Sequence, residues 1–346
     1  MKRYLIGFLK IAIPLGIILW LLSNVEPEQL KALRDRPKNW TLLAAAFGLS
    51  FVALCITFLR WYLLVRTINL PFRLRDAFRL GFLGYLLNFV SVGAVGGDLF
   101  KAFFVAHEQP GRRAEAVATV VVDRMIGLYA LLLVTSAAIF FGNIPNPTPA
   151  LSTICTMTYC ATALGGICIL MVMIPGFTRG SLSEWLSRLP RIGGLIEQLL
   201  TSVRIYRNKR LVMSAILGMS MGVHSLFAIA LYLIAIALFD RSPSLPDHLI
   251  IVPLSMVAGA LPFTPAGLGT FEYAMGELYS FFPAQGLGVA VAGPGDAIGL
   301  LVAMAFRLVT IAIAAIGVGF YWACRREVQQ VMHEAEEAQK YRSDAT

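Results

Sequence analysis

The chain has 346 residues, of which 58% are apolar and 14% charged, and a formal net charge of +9. A soluble domain carries about 25% charged and 45–50% apolar residues. A water-soluble enzyme and a disordered chain are therefore excluded, and an integral membrane protein is indicated. The basic balance has to be tested against the positive-inside rule before nucleic acid is considered.

In chain order, Met1 to Leu22 has a basic start and an apolar run holding only Lys10, with no small-residue cleavage site after it. This predicts a retained first span rather than a signal peptide. Trp40 to Leu59 has no charge, and neither has Met125 to Thr178, which Pro145, Pro147 and Pro149 cut in two. Leu211 to Phe239 is interrupted only by His224, and Asp296 to Trp322 holds one internal charge, Arg307. About 20 apolar residues cross a bilayer, so six full spans are expected, at about 4–22, 40–64, 116–141, 151–174, 211–239 and 296–322.

Two apolar stretches differ. Leu80 to Ala106 is broken by Gly93, Gly96 and Gly97, with Asp98 directly after; Leu249 to Phe282 is broken by Pro262, Pro265, Gly267 and Gly269. Pro and Gly clusters stop helices. Each stretch is long enough for two half-helices and reads as a re-entrant hairpin, with a single kinked helix as the alternative. Ser181 to Tyr206 is amphipathic, apolar at helical spacing with Arg188, Arg191 and Arg204 between, and reads as a helix on the cytoplasmic leaflet. With both termini cytoplasmic, about 19 Lys and Arg fall inside and 5 outside (Lys31, Arg34, Arg36, Lys38 and Arg241). The charge is thus mostly topology, and nucleic acid is not expected as a partner. Trp20 and Trp40 would sit at one interface, with Trp61, Tyr62, Tyr321 and Trp322 at the other.

The predicted fold class is an all-α polytopic membrane protein with six transmembrane helices and two re-entrant hairpins. Span, span, hairpin, span occurs twice in opposite orientation, an inverted-topology repeat whose substrate site lies between the halves. One membrane domain covers 1–324, with repeat one at about 1–141, repeat two at about 151–324, a cytoplasmic amphipathic segment at 175–210, and a polar tail at 325–346. Ser91 to Gly96 aligns loosely with Thr264 to Gly269, and Arg124-Met125-Ile126 echoes Arg307-Leu308-Val309.

Arg124 and Arg307 are the foremost candidates for function. Arginine deep in a span must face the bundle interior, water or a partner, and its guanidinium binds phosphate bidentately. The alternative is a structural ion pair, of Arg124 with Asp98 or Asp123 and of Arg307 with Glu272 or Asp296. Asp98 and Glu272 open the second half-helices, where they either cap the N-terminus or handle protons or cations. Lys101, one turn after Asp98, can pair with it. Lys10 and Arg60 lie near span ends and are expected to snorkel; His224 is expected to pack. Gly218 to Gly222 matches both G-x-S-x-G, out of place inside a helix, and G-x-x-x-G helix packing, as do Gly93 with Gly97 and Gly295 with Gly299. Cys55, Cys155, Cys160, Cys168 and Cys324 have no metal or disulfide spacing and read as packing residues. No cofactor or metal is expected.

Leu261 to Glu272, LPFTPAGLGTFE, resembles the "LP-x-TPGGLG-x-x-E" signature of the lysylphosphatidylglycerol synthase transmembrane region family, the flippase-like membrane proteins. Asn88 through Gly96-Gly97-Asp98 to Lys101 resembles that family's "N…GGD…R" segment, and Val122-Asp123-Arg124 its "DR" span. The resemblance covers nearly the whole chain. Ala266 replaces a usual glycine, Val92 stands near a common proline, and Lys101 replaces the usual arginine. Family members called multiple peptide resistance factors fuse this domain to an aminoacyl-lipid synthase, for which this length leaves no room. The resemblance implies a lipid translocase of the cytoplasmic membrane, with head-group contacts at Arg124, Arg307, Lys101, Asn88 and Thr264 and coupling or structural carboxylates at Asp98, Asp123 and Glu272. Membrane lipids and a separate lipid-modifying enzyme are the implied partners. A membrane-embedded transferase, or an accessory subunit of one, is the alternative.

Overall fold

The computed structural model describes residues 34–90, 96–109, 111–142, 148–173, 206–260, 267–282 and 295–323. The first span, Thr264, Gly93, Pro262, Pro265, Cys324, the amphipathic segment up to 205 and the tail lie outside the described residues. Among those described, the chain forms nine helices: α1 (Trp40–Thr67), α2 (Leu74–Val90), α3 (Gly96–Glu108), α4 (Arg113–Gly142), α5 (Pro149–Met173), α6 (Arg210–Leu238), α7 (Leu245–Ala260), α8 (Thr270–Ser280) and α9 (Gly295–Ala323). Five of them, α1, α4, α5, α6 and α9, are long and apolar enough to cross a bilayer. Their ends lie within a few residues of the expected spans. Asn39 starts α1 by accepting the Leu42 N–H at 3.2 Å.

The other four helices come as two pairs. α2 and α3 have 17 and 13 residues, α7 and α8 have 16 and 11. At 1.5 Å per residue each is shorter than a hydrocarbon core of about 30 Å. In both pairs the chain doubles back. The backbones of Gly84 and Gly97 meet so closely that a Cβ on Gly97 would collide with the Gly84 carbonyl. A continuous helix would hold those residues about 20 Å apart. Gly267, at φ +67°, approaches the Gly259 carbonyl in the same way. Neither stretch is therefore one kinked helix. α2 begins at Leu74, earlier than the apolar run, since the helix continues through Arg75, Asp76 and Arg79. Pro253 sits inside α7 without ending it.

Each pair is the centre of an apolar core. One core gathers Trp61, Leu64, Leu80, Phe104 and Val120 from α1 to α4. The other gathers Leu231, Ile250, Ile251, Met275 and Val302 from α6 to α9. α1 packs along α6, the most extensive helix contact described. α4 packs on both α6 and α7, and α9 packs on α2. At the last of these, Gly317 lets α9 settle onto the Phe82 carbonyl, and Phe82 stacks on Phe320 at 5.4 Å. α5 packs on α4, through Gly165 and Gly166 against Tyr129 and a Ser136–Thr162 hydrogen bond of 2.7 Å, while its Leu151 joins the second core.

Several expectations are corrected. Trp61, expected in an interfacial belt, is buried against Phe72, whereas Trp40 and Trp322 are exposed. Among the described residues nothing meets a Cβ at Gly218 or Gly222, whereas Gly97 and Gly299 make close approaches. Cys160 and Cys168 lie exposed on α5 rather than packed. At one end of the bundle, Tyr206 donates to the Leu64 carbonyl at 3.1 Å, and burial pushes its phenol pKa upward.

Gly97→Ala tests the first hairpin. The added methyl has only backbone to push against, so the variant should lose about 1–3 kcal/mol. A lower unfolding temperature in detergent checks this; an unchanged one contradicts the close approach.

Candidate functional site

The first hairpin supplies a carboxylate at its turn. Asn88, near the end of α2, accepts the Gly97 N–H at 2.8 Å and so caps α3 from the opposite arm. Asp98, the third residue of α3, is 9% exposed. One of its oxygens accepts from Arg124 Nε on α4, and the other faces Lys101 Nζ at 3.4 Å. The Lys101 ammonium also lies over the ring of Trp61 at 5.5 Å.

The second hairpin repeats the plan with other residues. Gly269, at φ +86°, precedes α8 in a backbone conformation that a glycine adopts freely. Glu272, the third residue of α8, is 1% exposed. One oxygen accepts the Gly269 N–H at 2.7 Å, and the other accepts from Arg307 Nε at 2.7 Å. Arg307 also reaches the Gly267 carbonyl at 3.5 Å and lies over Phe271 at 5.7 Å. Glu272 thus both caps its helix and pairs with the arginine, two readings the sequence left open. Arg124 and Arg307 lie about 16–18 Å into their helices, near the middle of each.

A cavity of about 290 Å³ lies between the hairpins. Both arginines line it, with Asn88 and Tyr85 from α2 and Thr310 from α9. Among the described residues the rest of its lining is apolar, with Phe89 on one side and Met256, Phe271 and Phe306 on the other. Such a mix, apolar walls with a few converging polar groups, is the ordinary make-up of a ligand site. Of the expected head-group residues, Arg124, Arg307 and Asn88 meet at the cavity. Lys101 is not among its lining and stands behind Asp98.

Asp123 does not join this group. It takes Arg60 in a two-point pair, Nε and one terminal nitrogen each 2.8 Å from a carboxylate oxygen. The other terminal nitrogen donates to Ser220 Oγ at 2.9 Å. Arg60 is 6% exposed, so it does not snorkel. Two neighbours on a helix diverge by about 100°, and Asp123 accordingly faces α1 while Arg124 faces α3. The sequence signal that could have found this pair is depth: Arg60 lies 20 residues after Trp40, yet its helix continues to Thr67. His224 Nε2 meets the Gly127 carbonyl at 2.9 Å, the packing role expected of it. Among the described residues, no three His, Cys, Asp or Glu side chains come together as a metal site.

The family model described as the lysylphosphatidylglycerol synthase TM region matches residues 7–317. The chain belongs to this family. Among curated proteins, no match is found. Membership and five apolar helices together make the chain an integral membrane protein of a lipid-metabolic, flippase-like family. The hairpin turns, Asp98, Glu272 and both arginines all lie within the matched range.

Arg60→Met should be strongly destabilising, by about 3–5 kcal/mol, because it strands Asp123 in the bundle. Adding Asp123→Leu should recover much of that loss. A double-mutant cycle on unfolding in detergent measures it; two additive losses would contradict the pairing.

Proposed function

We propose that the protein is a lipid translocase, which moves a lipid with a phosphate-bearing or otherwise polar head group across the cytoplasmic membrane. The observation that carries this reading is one cavity lined by two arginines, one from each half, each held by a hairpin carboxylate. Guanidinium groups suit phosphate, and the apolar walls suit the start of acyl chains.

The repeat supports it further. Asp98 and Glu272 are each third in the second hairpin helix, and each pairs with an arginine in the long helix that follows. The contacts of α4 with α7 and of α9 with α2 fit two related halves that pack on each other. In this reading the halves have inverted topology, the hairpins are re-entrant, and both termini face the cytoplasm, where the positive-inside rule puts the basic loops. The site then lies near the midplane, open in turn to each leaflet. Membrane lipids are the partners, and a separate lipid-modifying enzyme would supply or use the lipid.

The test is reconstitution of the purified chain in liposomes with labelled anionic lipids. Wild type should move lipid above empty vesicles, and Arg124→Ala or Arg307→Ala should slow it about tenfold or more, the scale of a lost charge-assisted contact. No movement, or no loss in either variant, would sink the reading. Product formed from a lipid acceptor by the same preparation would favour a membrane-embedded transferase instead.

A further inference from the structure

The two arginine–carboxylate pairs share a plan but not their surroundings. Asp98 divides its oxygens between two cations, Arg124 and Lys101. Glu272 gives one oxygen to Arg307 and the other to a backbone N–H. Three residues after Asp98 stands Lys101; three residues after Glu272 stands Met275, fully buried. Among the described residues, Arg307 is thus the one cation on Glu272. Exposure follows the same division, with the Arg124 side chain 47% exposed and that of Arg307 14%. Both nonetheless line the cavity.

A buried carboxylate that loses its cation is left with an uncompensated charge, which strongly opposes the loss. Glu272, 1% exposed and without a second cation, therefore holds Arg307 fast. Asp98 is differently placed. If the Arg124 guanidinium turns into the cavity, Lys101 remains on the other oxygen. Lys101 is itself steadied over Trp61 and Phe58, at 5.5 and 6.0 Å, and needs no new position to do this.

We propose that Lys101 is a positioning residue that keeps Asp98 neutralised while Arg124 passes its guanidinium from Asp98 to the phosphate of the ligand, and that Arg307 stays on Glu272 throughout. This rests on the translocase reading of the cavity. One half of the site is then exchangeable and the other fixed, although the two are equivalent in the repeat. The ligand chemistry is a phosphate ester or phosphate itself, carried by a lipid or free.

The experiment uses the full chain in detergent and the variants Lys101→Met, Lys101→Arg, Arg124→Gln and Arg307→Gln. Unfolding temperature is measured alone, with short-chain phosphatidic acid, and with inorganic phosphate. Without ligand, Arg124→Gln should stay within about 2 °C of wild type, while Arg307→Gln should fall by several degrees. Phosphatidic acid should raise the wild-type temperature; a rise with inorganic phosphate as well would assign the site to phosphate in general. Lys101→Met should raise the half-saturating ligand concentration about tenfold, since Asp98 then keeps Arg124, and Lys101→Arg should restore it. Equal stability of the two arginine variants, wild-type saturation in Lys101→Met, or no protection by either anion would each overturn the proposal. If wild type is protected but moves no labelled phosphatidic acid in liposomes, the translocase reading fails while the hand-over stands.

Discussion

A charge among apolar helices must be matched by an opposite charge or by water, and this constraint organises the whole structure. Four cations lie in the apolar part of the described bundle: Arg60, Lys101, Arg124 and Arg307. Three carboxylates answer them, each on a different helix: Asp98 on α3, Asp123 on α4 and Glu272 on α8. Every arginine pair joins two helices. Asp98 ties α3 to α4, Asp123 ties α4 to α1, and Glu272 ties α8 to α9. Apolar packing alone does not fix such a bundle, because lipid tails are as apolar as leucine. The ion pairs supply register, and the glycines at Gly84, Gly97, Gly259 and Gly267 supply the closeness that lets the short helices fold back within reach of them.

That closeness has a chemical consequence. A helix that starts at such a turn has free N–H groups at its N-terminus, and among apolar helices these must be satisfied. The two halves solve this differently. Asn88 reaches across from α2 to cap Gly97, whereas Glu272 caps Gly269 from within its own helix. Because Asn88 takes the capping role, both oxygens of Asp98 remain for cations. Because Glu272 caps, it has one oxygen left. The asymmetry between Arg124 and Arg307 therefore begins with a capping choice made on the neighbouring helix.

Much of this was legible in the sequence, for a physical reason. Spans are marked by missing charge, and breaks by Pro and Gly, so helix order, the two broken stretches and the arginine-bearing helices could be read from local pattern. Partner choice could not. Asp123 and Arg124 are adjacent in the chain yet serve different partners, because a helix turns them to different sides. Arg60 was misplaced because α1 runs past Leu64, which puts its guanidinium beside Ser220 rather than in the head groups. Trp61, next to it, was misplaced for the same reason. Gly218 and Gly222 have the spacing of a packing motif, but no described residue packs on them; spacing says which residues share a helix face, not which helix lies against it.

Arg60 and Arg124 show why depth alone does not mark a functional cation. Both are arginines in apolar helices, and both pair with an aspartate. Arg60 is enclosed, with both carboxylate oxygens and a serine hydroxyl on its guanidinium, so a ligand would find neither space nor an unsatisfied direction. Arg124 holds its aspartate through Nε and borders a cavity that Arg307 also borders. The Arg124 side chain is about half exposed, whereas that of Arg60 is enclosed. What separates a structural arginine from a ligand-facing one is therefore the geometry around the pair, set by helices distant in sequence.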